Sequence, residues 1–149
     1  MTERILDSDI GDVEIREFVT VHDSSIGGGS LILERVSVKK SSLGENVDVN
    51  AGTYIENAVI GDKVQIGPNC SIVGITHPLG EDGMKYRDDV FKQITVGNGS
   101  FIGAGATVLP GTELGKDCVV AANSTVTEDV PEKHIWKGTP PNHTLESLQ

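Results

Sequence analysis

The chain has 149 residues with twelve basic and twenty-two acidic side chains, a net charge of −10 that argues against nucleic acid or an anionic membrane as partner. No segment reaches the roughly eighteen consecutive apolar residues of a membrane helix, and the polar N-terminus is unlike a signal peptide, so a cytoplasmic protein is expected. Aromatic residues make up only 4% of the chain, which suits a solenoid with a narrow aliphatic column better than a globular core.

From the N-terminus, Ile10, Ile26, Leu43 and Ile60 are each followed by glycine, at Gly11, Gly27, Gly44 and Gly61, and the last three aliphatics lie seventeen residues apart. Between them stand Ile32 and Val38, then Val49 and Ile55, then Ile66 and Ile72. An aliphatic residue recurring at this interval reads as a short flat strand followed by a tight corner, three to a coil. A full coil of this kind takes about eighteen residues, so the seventeen-residue coils each drop one corner residue.

The rhythm is lost over residues 78–92, where Gly80, Glu81, Asp82, Gly83, Met84, Lys85, Tyr86, Arg87, Asp88 and Asp89 show no six-residue period. This stretch is expected to leave the solenoid as a loop, the place where repeat proteins often build a binding site. Beyond it Val96, Ile102, Val108, Leu114, Val120 and Val126 stand at an unbroken spacing of six. Two residues before each come Ile94, Ser100, Ala106, Thr112, Cys118 and Ser124, mostly small enough for an inward corner position.

Coils stacked at about 4.8 Å would set each aliphatic on its counterpart one coil below, giving an all-β parallel β-helix in a single domain over residues 1–149. After Val126 a cap is expected over about residues 130–149, with Leu145 and Leu148 on one helical turn. The glycines after the aliphatics, including Gly67, Gly97, Gly103 and Gly115, are expected to hold corner conformations that would strain a side chain. The glycine-rich stretch at 97–105 follows a strand and opens no helix, so it is no dinucleotide fingerprint. Cys70 and Cys118 both fall at small inward positions and read as packed thiols, without the spacing of a redox or zinc site.

Of the four histidines, His22, His77, His134 and His143, the second occupies a distinctive place. Seventeen residues after Ile60, where the next aliphatic corner is due, His77 stands at the mouth of the loop. A titratable ring there is a candidate general base. The residues alone equally admit that His77 and Pro78 merely end the coil.

Several stretches resemble the hexapeptide acyltransferase family, especially its sugar O-acetyltransferases of the maltose and galactoside type. They are Ile60-Gly61-Asp62-Lys63-Val64, Ile66-Gly67-Pro68-Asn69-Cys70, Thr76-His77-Pro78 with the following loop, Ile94-Thr95-Val96-Gly97-Asn98, Phe101-Ile102-Gly103 and Val108-Leu109-Pro110-Gly111. The terminal Val126-Thr127-Glu128-Asp129-Val130-Pro131 with Gly138-Thr139-Pro140 completes the order. The resemblance covers the second half of the chain, while residues 1–50 share only the period.

The resemblance implies a left-handed coil and transfer of acetyl from acetyl-CoA to a carbohydrate hydroxyl, with His77 as base and the backbone N–H of Ala104 holding the oxyanion. It places the CoA arm along Ala104, Gly105, Ala121, Ala122 and Thr127. Asn50 and Tyr54 would meet the acceptor, Met84 and Tyr86 would cover it, and Asp88 or Asp89 would orient His77. It implies a homotrimer with each active site between two subunits, and no metal. Three departures stand out: Glu128 replaces a customary lysine, Pro141 and Asn142 follow Pro140 in place of the relatives' terminal Ala/Cys-Arg, and Leu145 falls where a further cation would be. Lys133 and Lys137 are the nearby replacements. N-acetylation of a nucleotide-linked amino sugar and a non-catalytic scaffold remain the alternatives. A γ-type carbonic anhydrase, which shares the fold, needs three histidines on neighbouring coils, a spacing this chain lacks.

Overall fold

The inward aliphatics stack coil upon coil in the computed structural model, which describes residues 3–149; the first two positions of the expected domain lie outside it. Three parallel faces result. The first carries Arg4–Leu6, Thr20–His22, Ser37–Lys39, Tyr54–Glu56, Ser71–Val73, Thr107–Val108 and Thr125–Val126. The second carries Asp9–Ile10, Ser25–Ile26, Ser42–Leu43, Ala58–Ile60, Ile94–Val96 and Glu113–Leu114, with Val130 bridging Leu114. The third runs from Glu14–Ile15 through Leu31–Ile32, Asp48–Val49, Gln65–Ile66, Phe101–Ile102 and Val119–Val120 to His134–Thr139. No helix is present among the described residues.

Registers follow the periodicity. Ile55 lies between Val38 and Ile72, and Ile66 between Val49 and Ile102. These side chains are fully buried, each contributing roughly 1.5–3 kcal/mol of transfer free energy. The small inward positions do a second job. Ser41 Oγ donates to the Lys39 carbonyl and accepts from the Ala58 N–H of the next coil, and Thr53 Oγ1 links the Gly67 carbonyl and the Cys70 N–H in the same way. Buried hydroxyls thus carry the ladder across corners where strand pairing lapses. Cys70 and Cys118 are buried as the sequence suggests, and burial pushes both thiols up from their ordinary pKa.

The glycines behave differently from expectation. Left-handed backbone occurs three residues after the inward aliphatic, at Gly29, Asn46, Lys63, Gly99, Asp117 and Lys133 on one corner and at Gly52, Asn69, Gly105 and Asn123 on another. Gly27, Gly67, Gly97, Gly103 and Gly115, which directly follow an aliphatic, do not hold positive φ. They are required for close approach: a Cβ on Gly97 would sit 2.5 Å from the Gly115 carbonyl carbon, and one on Gly67 2.7 Å from the Ala104 nitrogen. The corner between the first and second faces is the short one, turned by single left-handed residues, Asp23, Lys40 and Asn57, and it is here that the seventeen-residue coils lose their residue.

Three further expectations are corrected. The rung above Ile60 is Val96, 36 positions later, so His77 does not replace an aliphatic corner. The chain leaves the solenoid at Gly74 and rejoins it at Ile94, a longer departure than residues 78–92. The cap is a β-hairpin and not a helical turn: His134–Thr139 pairs in parallel with Val119–Val120, then antiparallel with Asn142–Ser147. A helical turn would leave the last rung's backbone groups unpaired, whereas the hairpin continues their ladder. It also lowers Trp136, fully buried, onto Val120, where the indole N–H donates to the Gly138 carbonyl at 2.9 Å and the ring stacks on His143 with centroids 4.4 Å apart.

Gly97→Ala is expected to destabilise the fold by about 2 kcal/mol or more, because the clash is with backbone. Gly99→Asn should cost less, since asparagine already serves that conformation at position 46. Denaturant unfolding of the two variants checks the order.

Candidate active site

Gly74 is the point of departure. Its N–H donates to the Glu56 carbonyl at 2.8 Å, and its own carbonyl accepts from Lys92 N–H at 2.8 Å and from Asn57 Nδ2 at 2.7 Å. A side chain at position 74 would strike the Asn57 carbonyl oxygen. From this anchor an arm extends as an antiparallel ladder of Ile75–Thr76 with Val90–Phe91, then a tighter hairpin of Leu79–Gly80 with Gly83–Met84.

Thr76 opposite Val90 brings the next residue on one strand beside the preceding residue on the other. His77 Nδ1 consequently lies 3.2 Å from Asp89 Oδ1. The imidazole is half-exposed, and it lines a hollow of about 290 Å³ with Met84, Lys85, Tyr86 and Arg87. Such a carboxylate contact favours the proton on Nδ1 and leaves Nε2 as the free acceptor in the neutral ring. Met84 and Tyr86 thus share one hollow with His77, and Asp89 is the partner among the two aspartates considered. Lys85 and Arg87 carried no expectation, although cations flanking a tyrosine inside the unpatterned stretch were the available signal.

The remaining candidates lie elsewhere on the prism. Ala104, Gly105, Ala121 and Ala122 turn the corner between the third and first faces, and Asn50 stands on that same edge. The arm, by contrast, leaves from the edge between the first and second faces, as does Thr127. One chain therefore does not bring His77 to Ala104. Among the described residues the backbone N–H groups of Ala104 and Ala122 donate to no other group of the chain.

Asn50 Nδ2 donates to the Ile66 carbonyl at 3.0 Å, and the Tyr54 hydroxyl donates to Glu56 Oε1 at 2.7 Å. Burial and the Glu56 carboxylate push the Tyr54 phenol up to about 12. Lys133 sits on the third edge, between the second and third faces, and Lys137 lies 3.7 Å from Glu146.

With this geometry in view, two hexapeptide-repeat family models match the chain: the GlmU-like C-terminal hexapeptide over residues 12–75 and the hexapeptide repeat of succinyl-transferase over residues 93–128. Galactoside O-acetyltransferase of Lactococcus lactis is 34% identical over 106 residues, covering 65% of this chain and 51% of the relative. The bifunctional protein GlmU of Clostridium perfringens is 35% identical over 130 residues, covering 86% of this chain and 26% of the relative. The chain thus spans about half or less of these relatives.

Among solved structures, a hexapeptide-repeat acetyltransferase from Vibrio cholerae superposes with a TM-score of 0.62 at 25% identity, covering 97% of this chain and 73% of that one. A mutant of AntD, an N-acyltransferase from Bacillus cereus solved with dTDP-4-amino-4,6-dideoxyglucose and coenzyme A, reaches 0.80 at 15% identity, covering 97% and 86%, a likeness of fold alone. The chain is a hexapeptide-repeat protein, similar to acyltransferases built on that repeat, and its coil is the left-handed parallel β-helix.

In a Tyr86→Phe background Tyr54 is the sole tyrosine, and its ultraviolet titration should show no phenolate until pH approaches 12. Because the folded pKa lies above the unfolded value of 10.0, this group's contribution to stability is complete below pH 10 and is lost as pH rises toward 12. Glu56→Gln should bring the titration down; an unchanged midpoint would remove the carboxylate as a cause.

Proposed function

We propose that the protein transfers acetyl from acetyl-CoA to a hydroxyl of a sugar or sugar derivative. The observation that carries this reading is the His77–Asp89 pair, a base with a carboxylate behind it, held at the root of an ordered arm. Similarity to a galactoside O-acetyltransferase supports the chemistry. Nε2 of His77 takes the acceptor's hydroxyl proton as the oxygen attacks the thioester carbonyl. Asp89 steadies the imidazolium that forms. The tetrahedral oxyanion lies on the Ala104 N–H, collapse breaks the C–S bond, and the thiolate leaves with the proton carried by His77.

His77 and Ala104 stand on different edges of one chain, so the reading requires a second copy. His77 comes from one subunit and the donor wall of Ala104, Gly105, Ala121 and Ala122 from its neighbour, in a cyclic trimer that sets edge against edge. Thr127, on the arm's own edge, then contacts the donor from the opposite subunit. Lys137 supplies a cation for the phosphates of CoA, whereas Lys133, on the third edge, stands off both edges that this arrangement brings together. Asn50 and Tyr54 line the acceptor side, each with its polar group already held in place. An amine on a nucleotide-linked sugar is the second reading; the same base serves it, and it draws on the N-acyltransferase likeness.

His77→Ala should lower kcat by about 10²- to 10⁴-fold while thermal stabilisation by CoA survives. At 100 times its dissociation constant CoA adds about 2.7 kcal/mol to the native state. Equal turnover in variant and wild type, or no shift of the melting curve with millimolar CoA, overturns the proposal. Sedimentation should give a trimer; a monomer that turns over acetyl-CoA removes the shared site.

A further inference from the structure

The hollow beside His77 is charged in a way that a neutral sugar does not explain. In a chain of net charge −10, two of its five lining residues are cations, Lys85 and Arg87, and no carboxylate lines it. Among the described residues neither cation forms an ion pair. The one carboxylate beside the base, Asp89, is engaged by His77.

Arg87 is also held unusually. Every other non-glycine residue with left-handed backbone turns a corner of the solenoid, where coil closure demands it; Arg87, at φ 56°, is alone in the arm among the described residues. It turns the chain at Tyr86–Arg87, where the arm doubles back toward Val90, and the turn sets the place from which its side chain extends. That side chain lies 5.0 Å from the centroid of Tyr86, a ring that is 83% exposed. A guanidinium fork, an ammonium and an exposed tyrosine thus line one hollow with the general base.

We infer that the acceptor carries an anionic group, phosphate or carboxylate, and that Lys85 and Arg87 grip it while Tyr86 offers a face for the adjoining ring. A guanidinium binds either oxyanion through paired N–H donors, and the ammonium adds charge without fixed direction. The inference rests on the acetyl-transfer reading for the role of His77, but the anion site itself needs no turnover. Lys85 and Arg87 are on this view specificity residues, acting on acceptor choice rather than on the acetyl group.

The test measures acetyl transfer and binding with galactose, galacturonate and galactose 1-phosphate as probes. For the full chain, at least one acid should be preferred over galactose by about 10-fold or more in kcat/KM, and the responding acid separates carboxylate from phosphate. In Lys85→Gln/Arg87→Gln the preference should collapse toward unity, and Arg87→Lys should retain part of it. Calorimetric titration of the same probes into His77→Ala protein should show the same selectivity with no turnover. Equal affinity of wild type for all three probes, or an equal loss for all three in the double variant, overturns the inference. Selective binding without transfer by wild type leaves the anion site standing and refutes the acetyltransferase reading.

Discussion

Stacking of each inward aliphatic on its equivalent one coil away is the constraint on which the rest depends. Because the distance between coils is one inter-strand spacing, nothing can be inserted along a face without tearing three ladders at once. Residues can be gained or lost only at corners. The short coils lose theirs where Asp23, Lys40 and Asn57 turn the chain, and the arm leaves from that same edge at Gly74. Close contact also dictates composition: Gly97 and Gly103 lie where the backbone of the next coil excludes any side chain.

The same constraint divides the chemistry. A solenoid presents separate edges, so residues close in sequence pattern are not close in space. Ala104 and Ala122 recur along one edge with free amides, and the arm with His77 and Asp89 projects from another. The base is positioned by pairing within the arm, which holds two side chains on opposite strands in register. The donor wall is positioned by the coil itself. Catalysis on this plan is a matter of bringing two rigid edges together, with little for a flexible element to do.

Much of this was legible in the residues. Spacing alone located nearly every inward position, because each rung enforces the pattern independently; Val96 to Val126 could be read without exception. Projection failed where the chain broke rhythm. Counting seventeen onward from Ile60 led to His77, yet the partner of Ile60 is Val96, since a count cannot cross an insertion of unknown length. The glycines are ambiguous in sequence because left-handed turning and close approach select the same residue. The turning position betrays itself by admitting Asn, Asp and Lys; the crowded one does not. The cap is hidden from spacing because Leu145 and Leu148 stand at a helical interval, whereas the pairing that decides the matter joins Trp136 to Leu145 across a turn.

The arm's length has a consequence for how specificity can change. Contacts between successive coils span sixteen or seventeen residues below the arm and 36 across it. Doubling a closed loop raises its entropic cost by only about 0.6 kcal/mol, so the fold bears the arm's length at little cost. The coils on either side can each form from nearest-neighbour contacts and join afterwards. Lys85, Tyr86 and Arg87 therefore sit in a part of the molecule that the stacking of coils does not constrain, while Gly74 and Asn57 at its root are bound by the solenoid. New acceptors can be explored by rewriting the arm's tip without disturbing the column that keeps the base in place.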